Sequence, residues 1–395
     1  MSLPLIALFI AAFAFGTTEF VIAGVLPQVA TGLDITIPVA GYLVSAYAIG
    51  IAIGGPLLTF ATTSVARRQL LLGLIAAFTI GQVACALAPG FSTMLILRVL
   101  IAIAHGTFFG IAMVVAVGLV APERRGFAVA FILSGLTVSN VIGVPLGAAI
   151  GNIWGWRATF WAMGTLGLLA SIAIALWIPR TNTITAPKAQ LGREVRVLGR
   201  QQVWTSLLLM LLLMIGQMVP FTYIAPLLHE VTGLDPAIVP WVLLLNGVGS
   251  TVGVFLGGRL ADWKLMPALI AMLGTQAIVL FVFYLLSPYP APMIGTIFIW
   301  GALNFAIGTP IQARILGWTT DAPSLASSLI PSGFNVGIAL AASAGAAMLN
   351  AGYGYRSLPL LGMVALVIAT GVAIASFILE RRSGAVPPIS AVAAE

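Results

Sequence analysis

Charge is what this chain has least of. Only 7% of its residues are Asp, Glu, Lys or Arg, against about 25% in soluble globular domains, while 61% are hydrophobic. So few charges cannot clothe 395 residues in water, and the sequence reads as an all-α integral membrane protein. The short alternating segments of an outer-membrane barrel are missing too, since the apolar runs are of helix length. There is a single cysteine, Cys85, inside an apolar run. It excludes an intrachain disulfide and reads as a small packing residue. With two histidines, no phosphate-cradling glycine loop and no metal-spaced cluster, no catalytic constellation is present. The chain is therefore expected not to be an enzyme and to need no cofactor or metal, so any work it does must draw on an ion gradient or a solute's own gradient. The N-terminus lacks the basic segment of a signal peptide, so the first apolar run reads as a retained helix.

The apolar runs fall at 4–29, 38–62, 69–89, 92–120, 127–150 and 157–179, and again at 204–228, 237–260, 266–287, 291–316, 324–350 and 356–379. Each can cross ~30 Å of hydrocarbon at about 1.5 Å per residue. Twelve spans result, with a split between the third and fourth at LAPGFS. Basic residues then sort to one side: Arg67, Arg68, Arg124, Arg125, Arg180, Lys188, Arg193, Arg196, Arg200, Arg259, Lys264, Arg314, Arg381 and Arg382. The other side holds Arg157 and Arg356 with the acids Asp34, Glu230 and Asp235. Because Lys and Arg favour cytoplasmic loops, both termini are expected in the cytoplasm. The net charge of +7 is topological and gives no ground for a nucleic-acid partner. His229 and Glu230 read as a solvated pair at the outer end of the seventh span. Trp154, Trp156, Trp241 and Tyr289 near span ends read as interface anchors.

The two halves echo each other. TGLD at 31–34 returns at 232–235, GGPL at 54–57 as GGRL at 257–260, and GWRA at 155–158 as GYRS at 354–357. Pro122 answers Pro323, and the Ser-Gly at 134–135 answers that at 332–333. Matches in register across about 200 residues signal duplication. The expected organisation is a six-helix bundle over 1–179, a cytoplasmic linker over 180–203, a second six-helix bundle over 204–382 and a cytoplasmic tail over 383–395. Parallel repeats of this kind are a transporter design, with the binding site between the halves.

Four stretches carry a specific resemblance: GTTEFVIAGVLPQVA in the first span, RVLIAIAHGTFFG in the fourth, SGLTVSNVIGVPLG followed by GWRATFW in the fifth and sixth, and GGRLADWK, with the looser GGPLLTFATTSVARR, at cytoplasmic loops. They resemble the major facilitator superfamily, in its twelve-span drug:proton antiporter branch, over essentially the whole chain. That branch includes bacterial chloramphenicol-resistance exporters and arabinose or sugar-efflux permeases. The resemblance implies a proton-coupled exporter (antiporter) of small amphiphilic compounds in a bacterial cytoplasmic membrane, working by alternating access; the expected partners are the solute, protons and the lipid bilayer, and the chain is expected to be a monomer. Sugar or nucleoside efflux is the second possibility within transport. A non-transporting receptor or sensor is the contrasting class, and would normally carry a soluble signalling domain. Two positions depart from the pattern. Thr59 stands near the place of the first loop's aspartate, which moves the expected first-half latch to Arg67 or Arg68 with Glu123. Val144 precedes Pro145 where the branch has glycine.

Glu19 is the acid inside the first span. A buried carboxylate at a membrane's centre costs roughly 2.5–3.5 kcal/mol even on lenient scales, and intramembrane ionisable groups are functional by default. Rise along the helices puts Glu19 at a depth between Arg98 and His105, two residues on one face of the fourth span. In the resembled family the first and fourth helices line the central cavity, so the three are expected to form one proton-coupling cluster. Burial and a neighbouring guanidinium act in opposite senses on a carboxyl, and histidine titrates near neutrality; His105 is expected to share the proton. A structural ion pair between Glu19 and Arg98 is the plainer alternative. Gly143, Pro145 and Gly147 are expected to make a kinked, tightly packed, leak-resistant seam, and Asp262 a cytoplasmic helix cap that steadies one conformation. Candidate solute contacts are Thr17, Phe109, Asn140, Gln217, Tyr223, Asn246, Asn304 and Asn335, each of which could instead bond across a helix interface. So few fixed charges favour a neutral or weakly charged solute.

Overall fold

The computed structural model describes residues 2–180, 195–320 and 323–383. Among them no β-strand occurs, and eleven helical stretches are long and apolar enough to cross a membrane. The longest, Val239–Leu286, breaks at Lys264 (φ −155°, ψ 92°), which makes twelve spans as expected. They are α1 (Leu3–Gly24), α2 (Ile37–Ala61), α3 (Arg67–Ala86), α4 (Phe91–Gly118), α5 (Pro122–Trp154), α6 (Trp156–Trp177), α7 (Gln201–Thr222), α8 (239–263), α9 (265–286), α10 (Pro290–Trp318), α11 (Pro323–Asn350) and α12 (Leu358–Ser383).

Several spans are shorter or less regular than their apolar runs suggest. The first run breaks at Val25 (φ −119°, ψ 13°) and resumes as Leu26–Gly32. Pro27 has no N–H for the carbonyl four residues back, so the helix cannot run straight through. The seventh run ends at Thr222, after Pro220 and before Pro226, and continues as a wide-turn segment over Leu227–Val231. α2 and α5 each contain a π-helical segment just before a proline: Gly50–Gly54 ahead of Pro56, and Ser139–Gly143 ahead of Pro145. In each, the residue before the proline reaches five residues back, Gly55 N–H to the Gly50 carbonyl and Val144 N–H to the Ser139 carbonyl. The longer reach carries the helix past the donor that proline lacks. The expected bend at Pro145 is therefore present, as a local widening.

Large apolar side chains face outward, among them Phe60, Leu57, Leu176, Phe255 and Ile278. In water such a surface would aggregate, whereas in a bilayer it is the solvated one. Trp154, Trp241 and Tyr289 are exposed as anchors should be, but Trp156 is not. It is 5% exposed, packed under Gly32 and edge-on to Phe160.

By contacts the chain forms two compact units that change over within the 180–203 stretch, with two later segments joining the first. The first is Met1–Pro187 with Thr222–Glu230 and Leu234–Leu244; the second is Lys188–Phe221, Val231–Gly233 and Leu245–Glu395. The outer ends of α7 and α8 join the first unit for visible reasons. The Tyr223 hydroxyl lies against Gly41, Leu243 packs at Gly24, and Asn152 Nδ2 donates to the Pro236 carbonyl at 2.7 Å while accepting from Gln28. His229 and Glu230 there are exposed. In the second unit the end of the linker docks through Val197 and Val203 against Trp318, and Arg200 Nη1 donates to the Trp318 carbonyl at 2.6 Å. Lys188, Arg193 and the tail from 384 lie outside the described residues.

The orientation inferred from basic residues is open to a direct check. In a background with Cys85 replaced, a cysteine at Asp34 is expected to react with a membrane-impermeant maleimide on intact cells, and one at Gln190 only after lysis. The opposite pattern would invert the topology.

Candidate functional site

α4 brings two candidate side chains to one face. Arg98 and His105 are seven residues apart, about two turns, and both are buried, at 0% and 4% exposure. Glycines let α2 reach that face. A Cβ at Gly106 would sit 2.9 Å from the Gly55 Cα, and one at Gly50 would sit 2.7 Å from the Ala102 methyl. At that spacing Tyr47 of α2 enters the cluster. Its hydroxyl lies 3.0 Å from His105 Nδ1, and the Arg98 guanidinium carbon stands 4.0 Å from the centre of its ring. The other imidazole nitrogen, Nε2, is 3.9 Å from Glu19 Oε2 on α1. Phe15 and Phe109 flank the imidazole with ring centres 5.2 Å away on each. α3 closes the group with Gln82, whose Nε2 donates to Thr18 Oγ1 at 3.0 Å. Glu19, Arg98 and His105 thus meet as expected, and all within the first unit.

The pairing inside the group differs from a plain ion pair. The Glu19 carboxylate faces the imidazole, and no salt bridge joins it to Arg98. Arg98 Nη1 instead donates to the Thr18 carbonyl at 2.9 Å, while its Nε and Nη2 find no protein partner. A buried guanidinium with two unmatched donors is costly, and a purely structural ion pair would not leave it so. Glu19 keeps 11% of its side chain accessible, which a group that exchanges protons requires.

The glycines of α5 serve as the small-residue seam they were expected to form. Gly143 closes on Thr17, Gly147 on Val21 and Gly151 on Val25. Thr17 is thereby wholly buried against α5 and bonded to the Phe13 carbonyl at 2.8 Å, so it is a packing residue of α1. Asn140 bonds back to the Leu136 carbonyl of its own helix at 3.1 Å. Phe109 belongs to the cluster, its ring tilted against the His105 imidazole.

In the second unit the amides form their own network. Gln217 Nε2 donates to the Asn304 carbonyl at 3.0 Å, and Gln276 Nε2 to Asn304 Oδ1 at 2.5 Å. Asn246 Nδ2 donates to the Ile297 carbonyl at 3.2 Å, and Asn335 Nδ2 to the Pro331 carbonyl at 3.0 Å. The duplication gives this network a meaning. α1 begins at Leu3 and α7 at Gln201; α4 begins at Phe91 and α10 at Pro290. In that register Gln217 stands where Glu19 stands and Asn304 where His105 stands. The second half repeats the pair with groups that do not titrate.

The expected cytoplasmic latch is not formed as drawn. Arg68 donates Nε to the Ile178 carbonyl at 2.9 Å and Nη2 to the Ala175 carbonyl at 2.7 Å, capping the end of α6. Arg67 is 8% exposed, Glu123 is exposed, and neither arginine forms a salt bridge with it. Free carbonyls at a helix C-terminus offer an arginine several acceptors and a favourable dipole, which an exposed glutamate does not match. Asp262 is exposed at the end of α8.

Two groups were not legible in the sequence. Tyr47 looks like any aromatic in an apolar run, and its partners lie 51 and 58 residues away. Arg314, sorted with the basic residues at the ends of spans, is 3% exposed and paired with Glu380, and its Nη2 donates to Ser376 Oγ at 2.7 Å. That cluster ties α10 to α12.

The family model of the Major Facilitator Superfamily matches residues 8–317. The inner membrane transport protein YdhP of Escherichia coli strain K12 is 38% identical over 361 residues, covering 91% of this chain and 92% of that protein. A chloramphenicol resistance protein of Streptomyces lividans is 35% identical over 343 residues, covering 86% and 87%. Among solved structures, a bacterial homologue of the human lysosomal transporter Spinster, in an inward-facing and occupied conformation, superposes with a TM-score of 0.76 at 17% identity, over 94% of this chain and 95% of that one.

Proposed function

The chain belongs to the major facilitator superfamily and is a multi-pass membrane transport protein, and we propose that it is a proton-coupled exporter of small amphiphilic compounds in a bacterial cytoplasmic membrane. One observation carries the coupling. A carboxylate, an imidazole and a guanidinium are gathered inside a single apolar bundle, with the carboxylate still partly accessible. Taking such groups out of water is costly, and ionisable groups inside a membrane span are functional by default. Glu19 is the proton carrier. Protonated, it lets the bundle close around a neutral site; ionised, it favours the conformation that hydrates it. The neutral amides at Gln217 and Asn304 fit the part of the solute-facing half, because amides can hydrogen-bond a solute without competing for the proton. The 35% identity to a chloramphenicol resistance protein supports an uncharged, drug-like solute.

The test is export from cells and then from liposomes. Cells producing the protein are expected to tolerate higher concentrations of amphenicol-type antibiotics than cells without it. Purified protein in liposomes should move the same compounds when driven by an imposed pH gradient, and a proton-conducting uncoupler should stop it. Gradient-independent flux of the same compounds would remove the proton from the reading, and protection against sugars alone would favour the sugar-efflux alternative.

A further inference from the structure

We propose that Tyr47 is a positioning residue of the coupling site: its hydroxyl donates to His105 Nδ1 and so holds the imidazole with its proton on Nε2, facing the Glu19 carboxylate. This rests on the assignment of Glu19 as the proton carrier. Three observations converge. The hydroxyl and Nδ1 are 3.0 Å apart, in residues 1% and 4% exposed. The Arg98 guanidinium stands over the phenol ring at 4.0 Å. A cation on the ring face draws electron density from the phenol, which makes the hydroxyl a better donor and a poorer acceptor. At the far side of the imidazole, Nε2 faces the carboxylate at 3.9 Å, and an ionised carboxylate can only accept. Both ends of the ring therefore ask for the same tautomer, acceptor at Nδ1 and donor at Nε2. Phe15 and Phe109 confine the ring and oppose a flip that would exchange the two nitrogens.

The consequence changes the part His105 plays. Nε2 already carries a proton, so neutral His105 has no lone pair there to receive one from Glu19. Its Nε2–H faces the carboxylate at 3.9 Å and favours the ionised form of Glu19 electrostatically, a support that is lost when Glu19 takes up its proton. The proton enters and leaves at Glu19 itself, and His105 takes part in coupling without carrying it. The titratable and charged groups facing the site are Glu19 from α1, Tyr47 from α2, Cys85 from α3 and Arg98 with His105 from α4.

The full-length protein, labelled with nitrogen-15 histidine and held in lipid nanodiscs, reports the tautomer directly. It has two histidines, and a His229→Gln variant identifies the second signal. The wild type is expected to show His105 protonated at Nε2 alone at high pH. Tyr47→Phe, which keeps the ring beneath Arg98, is expected to show both tautomers. It should also shift the pH midpoint of export by about half to one unit, the size a single hydrogen bond carries. In a His105→Asn background the same substitution should add no shift, because Tyr47 acts through the imidazole. A wild-type tautomer protonated at Nδ1 would overturn the proposal, as would a Tyr47→Phe protein with unchanged tautomer and pH profile. Failure of the underlying assignment looks different, since Glu19→Gln would then retain gradient-driven export whatever the tautomer.

Discussion

Glu19→Gln should give a folded protein that no longer exports when driven by a pH gradient. Gln keeps the size of the side chain and a polar carbonyl oxygen, but it cannot release a proton. It also removes a carboxylate that is only 11% exposed, so the membrane has no reason to reject the variant. The expected flux is that of empty liposomes when only a pH gradient is imposed. Exchange of labelled for unlabelled solute across the membrane, which needs no proton movement, should persist. That contrast separates a lost carrier from a misfolded protein. Gradient-driven export at the wild-type rate in Glu19→Gln would end the assignment. The mirror position offers a control: Gln217 already holds an amide in the second half, and Gln217→Asn should leave the pH dependence of transport where it was.

Gly253→Val is expected to cost the protein its fold. α8 lies against α10 along Gly249, Gly253 and Gly257, spaced one turn apart. A Cβ built at these positions meets the backbone carbonyl oxygens of Phe298, Ala302 and Ala306. At Gly253 it would fall well inside the van der Waals shell of the Ala302 oxygen. Backbone cannot rotate away as a side chain can, so the two helices must separate and lose the contact along their length. Overpacking a well-fitted interior costs about 1–3 kcal/mol or more, and close approach through small residues is a main source of helix association in lipid. The expected result is a sharp loss of folded protein in detergent and a melting midpoint lowered by several degrees. Gly258→Ala is the matched control, because a Cβ there meets nothing within 4 Å. Equal stability of the two variants would show that the α8–α10 seam does not hold the second unit together. The α2–α4 seam at Gly55 and Gly106 repeats the device in the first half, where it also brings Tyr47 to the Glu19–Arg98–His105 cluster.

Much of the fold was legible because membrane insertion reads composition locally. Twenty apolar residues span the bilayer wherever they lie, and a charge is excluded whatever its neighbours. Twelve spans, the duplication and the singular acid Glu19 could therefore be read along the chain. The seven-residue spacing of Arg98 and His105 also placed them on one face, since helix geometry alone requires it. Rise per residue is nearly constant, and the structure brings Glu19 to the face that carries both.

Other features depended on which helix faces meet. A soluble helix shows its buried side by its apolar stripe, but a membrane helix is apolar all round, so its periodicity hides the interface. Hence Trp156, read as an interface anchor, proved to be core, and Arg314, sorted with the basic residues at the ends of spans, proved to be half of a buried pair with Glu380. Arg68 found carbonyls at the end of α6 instead of Glu123. What the amino-acid sequence determined by itself was the solvent of the protein, the number and order of its spans, and the presence of a titratable group among them. Only the tertiary structure decided that this group faces an imidazole rather than a guanidinium, and that Tyr47 stands between His105 and Arg98. Those are contacts between helices, and they exist only once the glycines have let the helices touch.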